Sequence, residues 1–211
     1  GMEKIDWKKS EPGYSIKKRP QILVLPEQHF FSINGVGDPN DEDFQRRVAS
    51  LYAWSYAIRM SPKKDWVIPN FQPYTVYPLE GLWGIQEKYL NEKVMQKKHF
   101  AYQLMIKQPG FVTKEVAQEA LVQSAHKLPS ELIDQLQFVT IEEGLTAQMV
   151  HIGPYDDEPA TFKKLADFIQ KEGYERTSKE HKEIYMSDPR RANPEKMKTI
   201  LRVSIAPKSI R

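Results

Sequence analysis

The sequence predicts an α+β fold: two β-α-β-β repeats related by a pseudo-twofold axis, with antiparallel sheets, helices on one side and a ligand cleft at the repeat seam. Three observations lead there. Residues 31–52 read as a strand, then Gly37-Asp38-Pro39, then a helix; residues 147–169 read as a strand, then Gly153-Pro154-Tyr155, then a helix. Each of these helices is followed by a pair of extended runs. The chain has 211 residues, 40% of them hydrophobic, enough to enclose a core shared by two such units. A single domain is therefore expected over 22–211, behind an N-terminal extension at 2–21. It divides into repeat one (about 22–107), a helical insert (about 112–136) and repeat two (about 137–207).

The extension is polar and lysine-rich, and Trp7 and Tyr14 are the side chains able to pin it down. Ile22–Leu25 is a short apolar run ended by Pro26, and Phe30–Val36 is a second run. Gly35-Val36-Gly37 lacks the third glycine of a dinucleotide loop, and Asp38-Pro39 reads as a helix cap followed by a first-turn proline. The helix at about 40–60 places Phe44, Val48, Leu51, Ser55 and Ile58 on one stripe, with Trp54 and Tyr56 at its edges. A loop at 61–73 carries Trp66 and Phe71. Tyr74–Gln86 is extended, and Gly81 and Gly84 flanking Leu82-Trp83 suggest a bulge or a close backbone approach. Phe100–Lys107 alternates, with Tyr102 on one face. Helices follow at 113–127 and from Pro129 to about 136, then an extended run at 138–152 broken near Glu142-Glu143-Gly144. A helix at about 158–172 is stopped by Gly173. The last strand runs from Lys198 to Ile205.

Composition removes several function classes. There is no cysteine, so disulfides, thiolate nucleophiles and cysteine metal sites are excluded. A formal charge of +3 gives no grip on nucleic acid, and no run is apolar enough for a membrane helix. A cytoplasmic location is the expectation. No metal site is expected: His181-Lys182-Glu183 matches the His-x-Glu of zinc deaminases, but the cysteines that complete such a site are absent. His151 reads as a structural histidine. Asp156-Asp157-Glu158 opens a helix, where acids complement the dipole.

The informative stretch is His181 to Pro189. It reads as a strand ended by Asp188-Pro189, with Ile184 and Met186 on one face and Glu183, Tyr185 and Ser187 on the other. On residues alone the second face is either solvated or lines a cavity, and in a cavity Glu183 is a candidate base or cation-binding acid.

Val150-His151-Ile152-Gly153-Pro154-Tyr155, followed by Phe162, Leu165 and Glu183-Ile184-Tyr185-Met186-Ser187-Asp188-Pro189, resembles the GyrI-like small-molecule-binding family from about Ile22 to Pro207. The stand-alone form is the nearer one, and within it the cyclopropanoid cyclopropyl hydrolase group. The resemblance implies an aromatic cleft with Glu183 at its floor and a planar aromatic small molecule as partner, with no cofactor. It implies hydrolytic detoxification of cyclopropane-bearing DNA-alkylating genotoxins. Under it Glu183 activates water and desolvation raises its pKa. Tyr185, Tyr155 and Tyr102 orient that water or bond a developing phenolate, and Trp83, Trp54, Tyr56, Trp66 and Phe71 are candidate cage walls. The alternatives are a non-catalytic multidrug-binding, sequestering or sensing protein, and a gyrase-inhibitor-like regulator. The oligomeric state stays open.

Overall fold

A computed structural model of the chain describes residues 3–188 and 190–209. The element order is α1 (Trp7–Ser10), β1 (Gln21–Val36), α2 (Glu42–Arg59), β2 (Leu79–Ile85), β3 (Phe100–Lys107), α3 (Lys114–Ser124), α4 (Ser130–Ile133), β4 (Gln137–Ile152), α5 (Glu158–Lys171), β5 (Tyr174–Arg176), β6 (His181–Tyr185) and β7 (Lys198–Pro207). The fold is mixed α+β, and every strand pair with a defined register is antiparallel. The second half carries β5 in addition to the β-α-β-β order expected of it. Among the described residues, no helix is long and apolar enough to cross a membrane.

The residues group into two compact units. Of the described residues, unit 1 comprises 3–7, 28–79 and 85–141; unit 2 comprises 8–27, 80–84, 142–188 and 190–209.

In unit 1, residues 30–36 of β1 pair with residues 101–107 of β3. Helix α2 covers this pair with Leu51, Trp54 and Ile58, all buried. It starts later than the sequence suggests. Asp38 closes a local turn onto the backbone N–H of Asn40 at 2.9 Å, so Pro39 lies ahead of the helix and Asp41 occupies the cap position. Helix α3 is capped as its sequence dictates, Thr113 Oγ1 accepting from the Val116 N–H at 3.2 Å. Trp7 is pinned as expected: its Nε1 donates to Thr75 O at 2.8 Å and its ring stacks on Tyr77.

Unit 2 is built around β7, which pairs with β4 on one edge and with β6 on the other, while β2 extends the sheet beyond β6. Helix α5 lays Leu165 and Ile169 on Ala147 and Met149 of β4 and Val203 and Ile205 of β7, closing an apolar core. Two breaks expected from the sequence are absent. Pro26 lies inside β1 at an exposed position, where strands tolerate proline. Gly144 adopts φ +67°, a left-handed turn of the backbone within a strand that continues through it. Tyr14 ties the extension down, its hydroxyl donating to Glu80 Oε2 at 2.6 Å.

Candidate functional site

The site forms on one face of the β2–β6 ladder in unit 2. Strand alternation sends His181, Glu183 and Tyr185 to this face and Lys182 and Ile184 to the other. That opposite face is buried and explains the local register: Ile184 is fully enclosed, and Lys182 pairs with Glu80 at 2.9 Å and Glu143 at 3.2 Å. Met186, expected to continue the core face, lies past the end of β6 and is half-buried. Pro189, expected to end the strand, is outside the described residues.

Across the ladder Gly81 stands opposite Glu183 and Trp83 opposite His181. The Trp83 indole lies back across Gly81 and donates from Nε1 to the Tyr185 hydroxyl at 2.9 Å. A Cβ on Gly81 would come within 2.7 Å of that nitrogen and 3.4 Å of the hydroxyl. The close approach foreseen for this glycine-flanked strand is thus real, and the approaching group is a side chain.

The Tyr185 hydroxyl in turn donates to Glu183 Oε1 at 2.9 Å, and His181 Nε2 lies 2.9 Å from Glu183 Oε2. A carboxylate only accepts, so that ring nitrogen carries the proton. The third partner is Glu158, at the first turn of α5 and buried, while Asp156 and Asp157 beside it are exposed. Burial and then the Glu183 charge push the Glu158 carboxyl up to about 10. Among the described residues Glu158 Oε2 is buried and meets no hydrogen-bond partner. Stabilisation by the helix dipole accounts for Asp156 and Asp157 but not for Glu158. The dipole contributes roughly 0.3–1 kcal/mol, and a single pKa unit already corresponds to about 1.4 kcal/mol.

Glu183 itself is shifted the other way from the sequence expectation. Burial raises its pKa, but the hydrogen bonds from His181, Glu158 and Tyr185 outweigh this and hold the carboxyl below its ordinary range. Desolvation among rings was the expected influence; three donors decide the outcome. Tyr185, buried and beside that charge, stays a neutral phenol far above its usual titration range.

Donor atoms of Glu158, His181 and Glu183 lie within 4.8 Å of one another, a spacing that also suits a cation. Two carboxyls this close repel when both are charged, and either a shared proton or a cation relieves that repulsion. Rings border the group: Tyr155, 42% exposed, meets Tyr185 edge-on at 6.2 Å, and Phe162 meets His181 edge-on at 4.8 Å. His151 is structural, its Nδ1 on Thr161 Oγ1 at 2.7 Å and its Nε2 on Pro154 O at 2.8 Å.

Of the expected site residues, unit 2 brings together Glu183, Tyr185, Trp83 and Tyr155. The other five belong to unit 1. Trp54, expected at a helix edge, is a core residue: it stacks on Phe31 at 3.7 Å, and its Nε1 donates to Ala117 O at 2.9 Å. Phe71 is buried against Phe111 and Tyr74. Tyr102 is buried with its ring against Gly35 and edge-on to Phe44. Tyr56 is exposed and stacks on Tyr52, and Trp66 is half-buried. Glu158 and His181 are the residues that sequence reasoning missed. The alternation that selected Glu183 and Tyr185 also selects His181; Glu158 leaves no comparable signal.

Two cavities in unit 2 bear on ligand size. One of about 480 Å³ opens at Arg176–Lys179 and has no aromatic lining; one of about 120 Å³ lies beside His181, Lys182 and Arg202. Pockets for drug-sized ligands measure roughly 300–1,000 Å³ and are mostly apolar. Neither cavity is the aromatic cage expected from the sequence.

The chain matches the GyrI-like small molecule binding domain over residues 18–205. Among solved structures it is similar to a hydrolase from Listeria innocua, at 35% identity over 96% of this chain and 100% of that one, with a TM-score of 0.84. A second Listeria innocua hydrolase is 37% identical over 97% of this chain and 100% of its own, with a TM-score of 0.85. An uncharacterized conserved protein from the same organism is 36% identical over 96% and 100%, with a TM-score of 0.86. Among curated proteins no relative is found.

Proposed function

Because the chain belongs to the GyrI-like small-molecule-binding family, we propose that it binds a planar aromatic small molecule and hydrolyses the cyclopropane of cyclopropanoid DNA-alkylating genotoxins, with Glu183 as the base. The observation that carries this reading is the held and partly exposed carboxylate of Glu183, with Tyr185 and His181 donating to its two oxygens. A carboxylate offers about four lone-pair sites; Tyr185, His181 and Glu158 take three, and the side chain remains 13% exposed. That exposure gives a water access to the carboxylate. The similarity to two Listeria innocua hydrolases supports an enzymatic role.

In the reaction, Glu183 takes a proton from this water as its oxygen attacks the cyclopropane methylene. The strained C–C bond breaks, and its electron pair passes through the conjugated ring to the carbonyl oxygen, which becomes a phenolate; the proton that Glu183 took passes to this oxygen through solvent, giving the phenol and restoring the carboxylate. Tyr185 and His181 hold the carboxylate in one orientation, which matters because general-base catalysis requires heavy atoms within hydrogen-bond reach. Tyr155 and Trp83 supply rings for the ligand's flat face.

The test is turnover of a cyclopropanoid alkylator by the wild type and by Glu183→Gln, followed by chromatography. Ring opening by the wild type, with Glu183→Gln slowed about 10²-fold or more while still binding, is the expected result. Binding without turnover by both proteins would sink the hydrolase reading. It would favour the second one, a drug-binding or sequestering protein, to which the ionised Glu183 beside exposed Tyr155 is suited as counter-charge for cationic aromatics.

A further inference from the structure

We propose that Glu158 is a positioning residue for Glu183: it holds the single proton that the two carboxyl groups share and so keeps Glu183 ionised and facing the water. The inference rests on the reading of Glu183 as the base and adds a residue to it. Its ground is geometric. Glu158 is buried at the start of α5, a carboxyl oxygen of it lies within 4.8 Å of one on Glu183, and its Oε2 is buried without a hydrogen-bond partner among the described residues. Two buried carboxyls at this separation cannot both be charged without a large penalty. Tyr185 and His181 already donate to the two Glu183 oxygens, so Glu183 is the member whose charge is supported, and the proton resides on Glu158. The preference for Glu158 as the proton holder is the one its raised pKa expresses.

The titratable groups facing Glu158 are Glu183, His181 and Tyr185 of β6 and Tyr155 of the turn before α5; Asp156 and Asp157 point to solvent. Removing the proton from Glu158 puts a second negative charge against Glu183. Glu183 then draws a proton back or loses its place, and the water is no longer held. Activity is therefore expected to fall at alkaline pH through Glu158 and at acid pH through Glu183.

The experiment is the pH dependence of kcat/KM for the wild type, Glu158→Gln and Glu158→Leu, with infrared spectra of the resting proteins. Glutamine donates to Glu183 but does not ionise, so Glu158→Gln should lose the alkaline limb and keep the acid limb. Leucine donates nothing, so the acid limb should move to higher pH. Both tyrosines remain in each variant, so a limb lost in Glu158→Gln belongs to Glu158. In the infrared, the wild type should show a protonated carboxylic C=O stretch at neutral pH that is missing from Glu158→Gln. Unmoved limbs in both variants would overturn the inference, as would a C=O stretch that persists in Glu158→Gln. Thermal stabilisation of the wild type by zinc or manganese, absent in Glu158→Gln, would also overturn it, because a cation would then take the proton's place. If the wild type turns nothing over, the base assignment of Glu183 fails, and the infrared arm alone decides whether Glu158 holds the proton.

Discussion

Glu183 and Glu158 are both buried glutamates, yet their pKa values move in opposite directions because their hydrogen-bond partners differ. Glu183 receives donors from its own strand, whereas Glu158 receives a neighbour's negative charge. This has a consequence for stability. A carboxyl raised to about 10 in the fold and ordinary when unfolded binds a proton that the unfolded chain releases above the usual carboxylate range. Its contribution to stability therefore declines as pH rises from that range towards 10, and is recovered on acidification. Glu158→Gln should remove this loss, and its melting temperature should exceed the wild type's by a margin that widens from weakly acidic to alkaline pH. Calorimetry across that range checks it; a margin that does not grow with pH contradicts the assignment. Gly81 gives a second prediction at this scale. The 2.7 Å approach of a new Cβ to Trp83 Nε1 means that Gly81→Ala must displace the indole. Overpacking of this kind costs about 1–3 kcal/mol, and the Trp83–Tyr185 hydrogen bond should be lost with it. Tryptophan fluorescence and urea unfolding report the two effects separately.

At the scale of elements, β6 works because its two faces carry different chemistry. One face presents His181, Glu183 and Tyr185; the other buries Lys182 between Glu80 of β2 and Glu143 of β4. Arg202 of β7 joins the second face, bonding Glu143 at 3.1 Å and Gln148 at 2.8 Å. Opposed charges balance there, and the Glu143 carboxyl, though raised by burial, ends below its ordinary range because Arg202 and Lys182 face it. Replacing Lys182 with Ala leaves the buried Glu80 carboxylate without its cation, while Glu143 keeps Arg202; breaking a buried pair in this way typically destabilises by about 3–5 kcal/mol. Urea denaturation should register it. Lowering the pH through the folded pKa of Glu143 should weaken the wild type for the same reason, since a depressed carboxylate stabilises only while ionised.

At the scale of the molecule, the N-terminal segment is a working part of unit 2. Arg202 donates to Gly13 O at 2.7 Å, Gln148 donates to the same oxygen at 3.3 Å, and Tyr14 bonds Glu80. Trimming the chain to begin at Gln21 should therefore lower the melting temperature and weaken ligand binding, although no residue removed belongs to the site. An unchanged melting temperature after trimming would show the segment to be dispensable.

Much of this was legible in the chain before folding. Period-two alternation marked the face of Glu183 and Tyr185, helical periodicity located α2 and α5, and Trp7 and Tyr14 stood out as anchors because they are the large rings in a polar segment. Other features were not legible. Pro26 and Gly144 looked like breaks, since sequence alone does not say which ladder positions face a partner. Trp54 looked like a groove residue until Phe31, distant in sequence, stacked on it. Sequence by itself determined the local patterns and the strand that presents Glu183, because alternation and periodicity are properties of neighbouring residues. Only the tertiary structure decided that Glu158 from α5 meets Glu183 from β6, because a pKa depends on which charges and donors the fold brings within a few ångströms.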